Sequence, residues 1–172
     1  MPKPEELNLV PDSEAPFPAP GEEPRLIESL KDLVFTEPFA VLCTQAGGQP
    51  YASLVAFAFS ADLTSFVFAT PVATRKYRFL IECDHVALLV DNRGRFAEDM
   101  TKVSAVTVTG RASQVELGAG FVPWAAMLTG RHPYLESFVA APSTALFRVH
   151  VVRYLHVTRF QEVRQWLPVP NG

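Results

Sequence analysis

The sequence predicts a mainly β fold with flanking helices, in which a six-stranded antiparallel sheet closes into a small barrel. Three β-rich runs arrive in succession with short polar breaks between them: Phe39 to Thr44, Pro50 to Phe59 and Ser65 to Thr70. Three more follow at His85 to Val90, Ser104 to Glu116 and Thr144 to Val157. Strands that do not alternate regularly with helices argue against a doubly wound parallel sheet, and closing them into a barrel removes exposed edges.

The 172 residues suit one domain, and 48% hydrophobic content suits a compact fold with part of its surface at a subunit interface. A net charge of −3 gives no bulk reason for a nucleic-acid or anionic-membrane partner, so any anion site must be local. Cys43 and Cys83 have no CxxC or histidine pairing of the metal-site kind and read as two buried free thiols, which fits a reducing cytoplasm. The acidic beginning (Glu5, Glu6, Asp12, Glu14) contains no apolar signal core, and no later run approaches membrane-span length. The expectation is a cytoplasmic protein without membrane contact.

Residues 1–24 hold seven of the 15 prolines and read as an extended arm, poorly packed unless a partner pins it; residues 25–172 form the single domain. From Arg25 to Phe35, Leu26, Ile27, Leu30, Leu33 and Val34 share one helical stripe. The stretch Gln45 to Gln49 carries the glycines of a hairpin turn between the first two strands. Helical spacing returns from Ala73 to Cys83, with Tyr77, Leu80 and Ile81 facing inward. Residues 92–101 are charged and loop-like, and Gly118 to Val139 is mainly helical, interrupted by Pro123 and Pro133.

The most informative stretch is Phe66 to Lys76. A strand ends in Thr70, and a short loop delivers Thr74, Arg75 and Lys76 to a helix start, where free N–H groups and the helix dipole favour an anion. Two hydroxyls, a forked guanidinium and a compact ammonium match a phosphate monoester. Thr74 also suits a helix cap with both cations merely solvated. Cations in a first turn oppose the dipole unless an anion compensates them, which favours the ligand.

The order Gly48-x-Pro50-x-x-Ser53-x-Val55, then Asp62, Ala69-Thr70 and Thr74-Arg75-Lys76, resembles the FMN-binding half of the pyridoxamine 5'-phosphate oxidase-like family. The strand from Ala105 to Glu116, with Gly110, resembles that family's long strand, and the likeness runs from about Leu33 to Trp166. It implies an FMN-binding split β-barrel, a homodimer with FMN (flavin mononucleotide) at its interface, and a flavin-dependent oxidoreductase acting on a small molecule. It implies cofactor contacts from Thr70, Thr74, Arg75 and Lys76 at the phosphate, from Ser53, Leu54 and Val55 along the ring and ribityl chain, and from Asn92 and Trp166. An asparagine after a strand equally suits a turn, and Trp166 equally closes a barrel end. The dimer is also expected because Phe57 and Phe59 read as exposed positions that need a partner.

Departures limit the activity. The true oxidase carries an arginine where Ser53 stands and a lysine where Ala58 falls, and its tryptophan position falls near Val157 here. Phe147-Arg148-Val149 is present, but no Arg-Leu-His-Asp-Arg substrate clamp follows, so oxidation of pyridoxamine phosphate is not expected. Gly130-Arg131-His132-Pro133, Phe147 to Val149, Phe160 and Trp166 instead resemble the haem-utilisation branch, with His132, His150 and His156 the candidate axial ligands. No catalytic residue and no metal ligand set emerges: Glu98 and Asp99 are adjacent in a loop, and no serine sits in a nucleophile elbow. Three readings stand: a flavin oxidoreductase, a cofactor-binding protein without turnover (flavin or haem), and a deazaflavin reductase.

Overall fold

The computed structural model describes residues 15–159 and 162–169. The chain enters through α1 (Glu23–Thr36), which buries Leu26, Leu30, Leu33 and Val34 against the barrel. Glu37 leaves the helix at ψ 126° because Pro38 crowds the helical conformation of the residue before it. Arg131 then caps α1 from afar, donating Nη1 to the Val34 carbonyl and Nη2 to that of Glu37 while its guanidinium lies 4.7 Å over the Phe57 ring.

β1 (Phe39–Ala46) and β2 (Gln49–Ala56) form a hairpin whose two turn residues, Gly47 and Gly48, sit at φ 56° and 77°, the left-handed pair that a two-residue turn requires. The same extended run leaves β1 at Phe57 and continues as β3 (Ala58–Phe59), which pairs with β4 (Ser65–Pro71). After α2 (Arg75–Glu82) come β5 (His85–Asp91) and β6 (Ala105–Gln114). Then α3 (Phe121–Arg131), α4 (Glu136–Ala140), β7 (Thr144–Thr158) and β8 (Glu162–Trp166) complete the described chain. Hydrogen-bonded neighbours run β2-β1-β5-β6-β7-β4-β3, with β8 added to β7, and every pair is antiparallel.

The sheet curls into a half-open barrel whose interior is aromatic. Phe57, Phe66, Phe68, Phe147 and Tyr154 are fully buried there, with Phe68 stacked on Phe147 at 5.7 Å. A smaller core forms outside the barrel, where α3 and α4 place Leu128 and Val139 on Val67 and Leu146. Arg148 is fixed between the two layers, stacked 4.5 Å over Trp124 and bonded to the buried Ser65 hydroxyl. The β3–β4 turn is held by Asp62, which accepts from Ser60, from the Thr64 hydroxyl and from the Thr64 N–H. Those bonds, the Ser60 bond foremost, hold its carboxyl below the usual range. Leu63 is forced to φ 62° in this turn, and the Tyr154 hydroxyl pins its carbonyl at 2.6 Å.

Several expectations are corrected. The antiparallel barrel holds, with eight strands where six were expected: β3 is the bent end of the second strand, and β8 is a short charged strand whose alternation is too weak to read. Phe57 and Phe59 lie inside the barrel at 0% and 4% exposure, so they offer nothing to a partner. Cys43 is exposed on the outer sheet face and Cys83 is half-buried as the α2 C-cap, so they are not a buried pair. Ile81 is 59% exposed, because consecutive helical residues lie about 100° apart and Leu80 takes the inward position. The described end of the arm is pinned within the chain, with Gln165 donating to the carbonyls of Ala15 and Pro16; residues 1–14 and Phe160 lie outside the described residues.

Gly110 marks a bulge between β6 and β7, and a Cβ there would stand 2.4 Å from the His150 carbonyl oxygen. Because the obstacle is backbone, Gly110→Ala is expected to cost about 2–3 kcal/mol in urea unfolding. Gly94→Ala, with nothing within 4 Å, should be within about 0.5 kcal/mol of wild type. Equal losses at the two glycines would contradict this account.

Candidate functional site

Thr70 ends β4 facing the barrel interior and is fully buried. Thr74 caps α2: its Oγ accepts the Tyr77 N–H at 3.2 Å and donates to the Pro71 carbonyl at 2.8 Å. Its single proton is thus committed, and the Thr70 hydroxyl, 3.0 Å away, is the donor between the two. Both hydroxyls shape the turn. The donors left for an anion are the N–H groups of Arg75 and Lys76, since that of Tyr77 is taken by Thr74, and the side chains of Arg75 and Lys76.

The first turn of α2 holds no acidic residue, and among the described residues neither Arg75 nor Lys76 makes an ion pair. The Arg75 guanidinium lies 5.8 Å over the ring of Tyr51 on β2, and Tyr51 meets Phe79 of α2 edge-on at 5.9 Å. Half-burial pushes the Lys76 amine below its ordinary pKa, since desolvation opposes its charge and no carboxylate compensates. Two cations at the positive end of a helix, one of them partly desolvated, form a site that lacks its counter-charge.

Opposite this turn runs β2. Along Gln49 to Ala56 it pairs with β1 alone; it lies against β4, but no ladder joins them before β3. Its second edge therefore keeps unpaired backbone groups facing the barrel mouth. Ser53 stands opposite the buried Leu42 and so points inward, where its Oγ is buried without a hydrogen-bond partner among the described residues. Val55 is buried beside it, whereas Leu54 points outward at 69% exposure. Tyr51 was missed by sequence reasoning, although its place in the β2 alternation, two residues before Ser53, puts it on the same face.

Asn92 and Trp166 lie elsewhere in the chain. Asn92 exchanges hydrogen bonds with Ser104 at the opposite end of the barrel, its Oδ1 accepting the Ser104 N–H at 2.8 Å. Trp166 packs on Tyr154 at 5.4 Å and donates to Glu23 at the start of α1. Tyr154 is nine residues along β7 from Ala145, the partner of Thr70, which is about 30 Å of strand. Within one chain, neither residue joins the group around α2.

The three histidines differ. His132 is buried and satisfied at both nitrogens, Nε2 donating to the Phe57 carbonyl at 2.9 Å and Nδ1 accepting from Tyr134 at 3.3 Å. His156 is buried 2.8 Å from the Ser104 hydroxyl, and desolvation lowers its pKa, which favours the neutral form. His150 is exposed on β7. Among the described residues no group of histidine, cysteine and carboxylate side chains has metal-site geometry, and no helix is long and apolar enough to cross a membrane.

Because the folded protein holds the Lys76 proton less tightly than the unfolded chain does, the charged amine subtracts stability at neutral pH, and that penalty fades as pH rises through the lowered pKa. In the cofactor-free protein, Lys76→Met is therefore expected to melt above wild type at about pH 7 and to lose that advantage only above the ordinary lysine value, by about pH 11.5. A variant that melts below wild type at both values would contradict the unpaired-amine account.

Solved structures share the fold, three of them as follows. A haem-binding protein from Mycobacterium smegmatis superposes with TM-score 0.71 at 17% identity over 88% of this chain and 59% of its own, so this chain spans less than two thirds of that relative. The haem storage protein HutZ from Vibrio cholerae gives 0.59 at 17% over 72% and 88%, and an FAD-binding protein from Mesorhizobium loti gives 0.61 at 16% over 76% and 91%. No curated protein matches the chain significantly. The family model for pyridoxamine 5'-phosphate oxidase matches residues 26–158, from α1 to the end of β7, and the chain accordingly belongs to the pyridoxamine 5'-phosphate oxidase family.

Proposed function

We propose that this protein binds FMN with its phosphate at the start of α2 and its ring along the free edge of β2, and that it acts as a flavin-dependent oxidoreductase at a homodimer interface. The observation that carries the reading is the pair Arg75 and Lys76, which have no ion-pair partner among the described residues, at a helix N-terminus where Arg75 lies over Tyr51, two residues along β2 from the Ser53 hydroxyl that also lacks a partner there. These groups fit a phosphorylated flavin: cations and first-turn N–H groups for the phosphate, and the β2 edge with Ser53 for ribityl and ring polar atoms. Bound flavin would supply the electron or hydride transfer. The chain's own part is to grip the phosphate, orient the ring and exclude water. Asn92 and Trp166 can serve this site only if the second copy brings them to it.

Membership of the family supports flavin, as does the fold shared with an FAD-binding protein. The fold is shared equally with haem-binding proteins, but of the three candidate histidines His132 and His156 are tied into hydrogen bonds, which leaves the exposed His150. The homodimer reading moves from Phe57 and Phe59 to the outer sheet face. There Phe39, Leu54 and Val152 are 48%, 69% and 40% exposed, and the outward positions of β1 and β2 from Phe39 to Cys43 and Ala52 to Ala56 carry no charge.

Freshly purified protein should show a two-banded flavin spectrum. Arg75→Ala/Lys76→Ala should lose it, because removing two charge-assisted contacts weakens FMN by about a hundredfold or more. A colourless wild type that ignores added FMN, or a Soret band, would overturn the proposal. Leu54→Glu should turn the dimer into a monomer in sedimentation velocity; a wild type already monomeric would remove the interface.

A further inference from the structure

Tyr51 ties β2 to α2. Its ring lies 5.8 Å beneath the Arg75 guanidinium and meets the Phe79 ring edge-on at 5.9 Å. Arg75 and Phe79 are four residues apart on α2 and so stand one above the other on a single helical face, which the Tyr51 ring spans. The strand end of this contact is fixed: Tyr51 pairs with the buried Thr44 of β1, whose hydroxyl donates to the Tyr51 carbonyl at 3.4 Å. The Tyr51 hydroxyl makes no hydrogen bond among the described residues, so the ring itself is the part in use.

Arg75 needs a holder. It is exposed in the first turn of α2 and makes no ion pair among the described residues. The positive end of the helix repels its charge, and an arginine side chain free in water spreads over many rotamers. A guanidinium over an aromatic face is attracted by the ring's π-electrons while its N–H fork stays available along its edge. Lys76 points about 100° away round the helix and so does not share that ring. We propose that Tyr51 is a positioning residue for phosphate recognition: it holds Arg75 on the β2 side of the α2 start, so that a ligand lying along the β2 edge meets a guanidinium already in place for its phosphate. The inference rests on the FMN reading and deepens it, because it makes preference for the phosphorylated flavin depend on an aromatic ring of β2 that acts through Arg75.

The test is calorimetric titration of the cofactor-free full chain with FMN and with riboflavin, read as the ratio of the two affinities. The ratio cancels any contact that Tyr51 makes with the ring or ribityl chain, and a merely structural role would move both ligands together. Tyr51→Leu should lower the FMN-over-riboflavin ratio by about three- to fivefold, the worth of an exposed cation–π contact. Tyr51→Phe, which keeps the ring, should retain the wild-type ratio. Added to Arg75→Ala, Tyr51→Leu should lower the ratio no further, because its effect runs through Arg75. Tyr51→Thr, a strand-forming residue without a ring, replaces Tyr51→Leu should that variant not fold. A wild-type ratio in the ringless variant, an equal loss in Tyr51→Phe, or the full loss repeated on top of Arg75→Ala would overturn the proposal and leave the FMN reading standing. A wild type that binds neither flavin, or both equally, would overturn the FMN reading and this inference with it.

Discussion

A single extended run, Gln49 to Phe59, has to serve both edges of the barrel, and most of the site depends on how it does so. Up to Ala56 it pairs with β1; after Phe57 it pairs with β4. The bend is held by burial of the Phe57 ring, which Arg131 covers while capping α1. Before the bend, one edge of β2 is left without a strand. In water such an edge invites aggregation; at a barrel mouth it is a row of donors and acceptors ready for a planar ligand. The split in the barrel and the ligand edge are the same feature.

The second constraint is electrostatic. Several cations of this chain find a carboxylate: Arg93 with Asp91, Arg95 with Glu37, Lys102 with Asp99 and Arg111 with Asp84. At α2, Lys76 is half-buried and Arg75 is held over Tyr51 instead. Desolvating an amine without a partner subtracts stability, and placing it at the positive end of a helix subtracts more. A dianionic group there would reverse both terms. The cost in the free chain and the gain on binding therefore have one origin, and the Thr70–Thr74 hydroxyl pair is the device that holds the turn in shape for it.

Much of this was legible in the sequence where local rules decide the outcome. The apolar stripe of α1, the Gly47-Gly48 hairpin and the Thr74 cap all follow from spacing and turn chemistry, and the order of short motifs pointed to the family. What depended on curvature was not legible. Phe57 and Phe59 read as outward residues, although alternation from Ser53 and Val55 puts them on the inward face; which face of the bent strand meets the core is set by curvature. Whether Cys43 and Ile81 are exposed depends on which face of a sheet or helix meets the barrel, and nothing local specifies that. Asn92 and Trp166 were grouped with the α2 turn by resemblance, yet they lie at the other end of the barrel in the same chain, a separation that only the β7 register reveals.

The central claim is that the start of α2 is a phosphate site coupled to a ring-binding edge on β2. Calorimetric titration of the cofactor-free protein with FMN and with riboflavin tests it most directly, because the two ligands share the ring and ribityl chain and differ only in the phosphate. The account predicts that FMN binds tighter than riboflavin by about a hundredfold or more at low salt, as two charge-assisted contacts require. Equal affinities, or no binding of either, would contradict it.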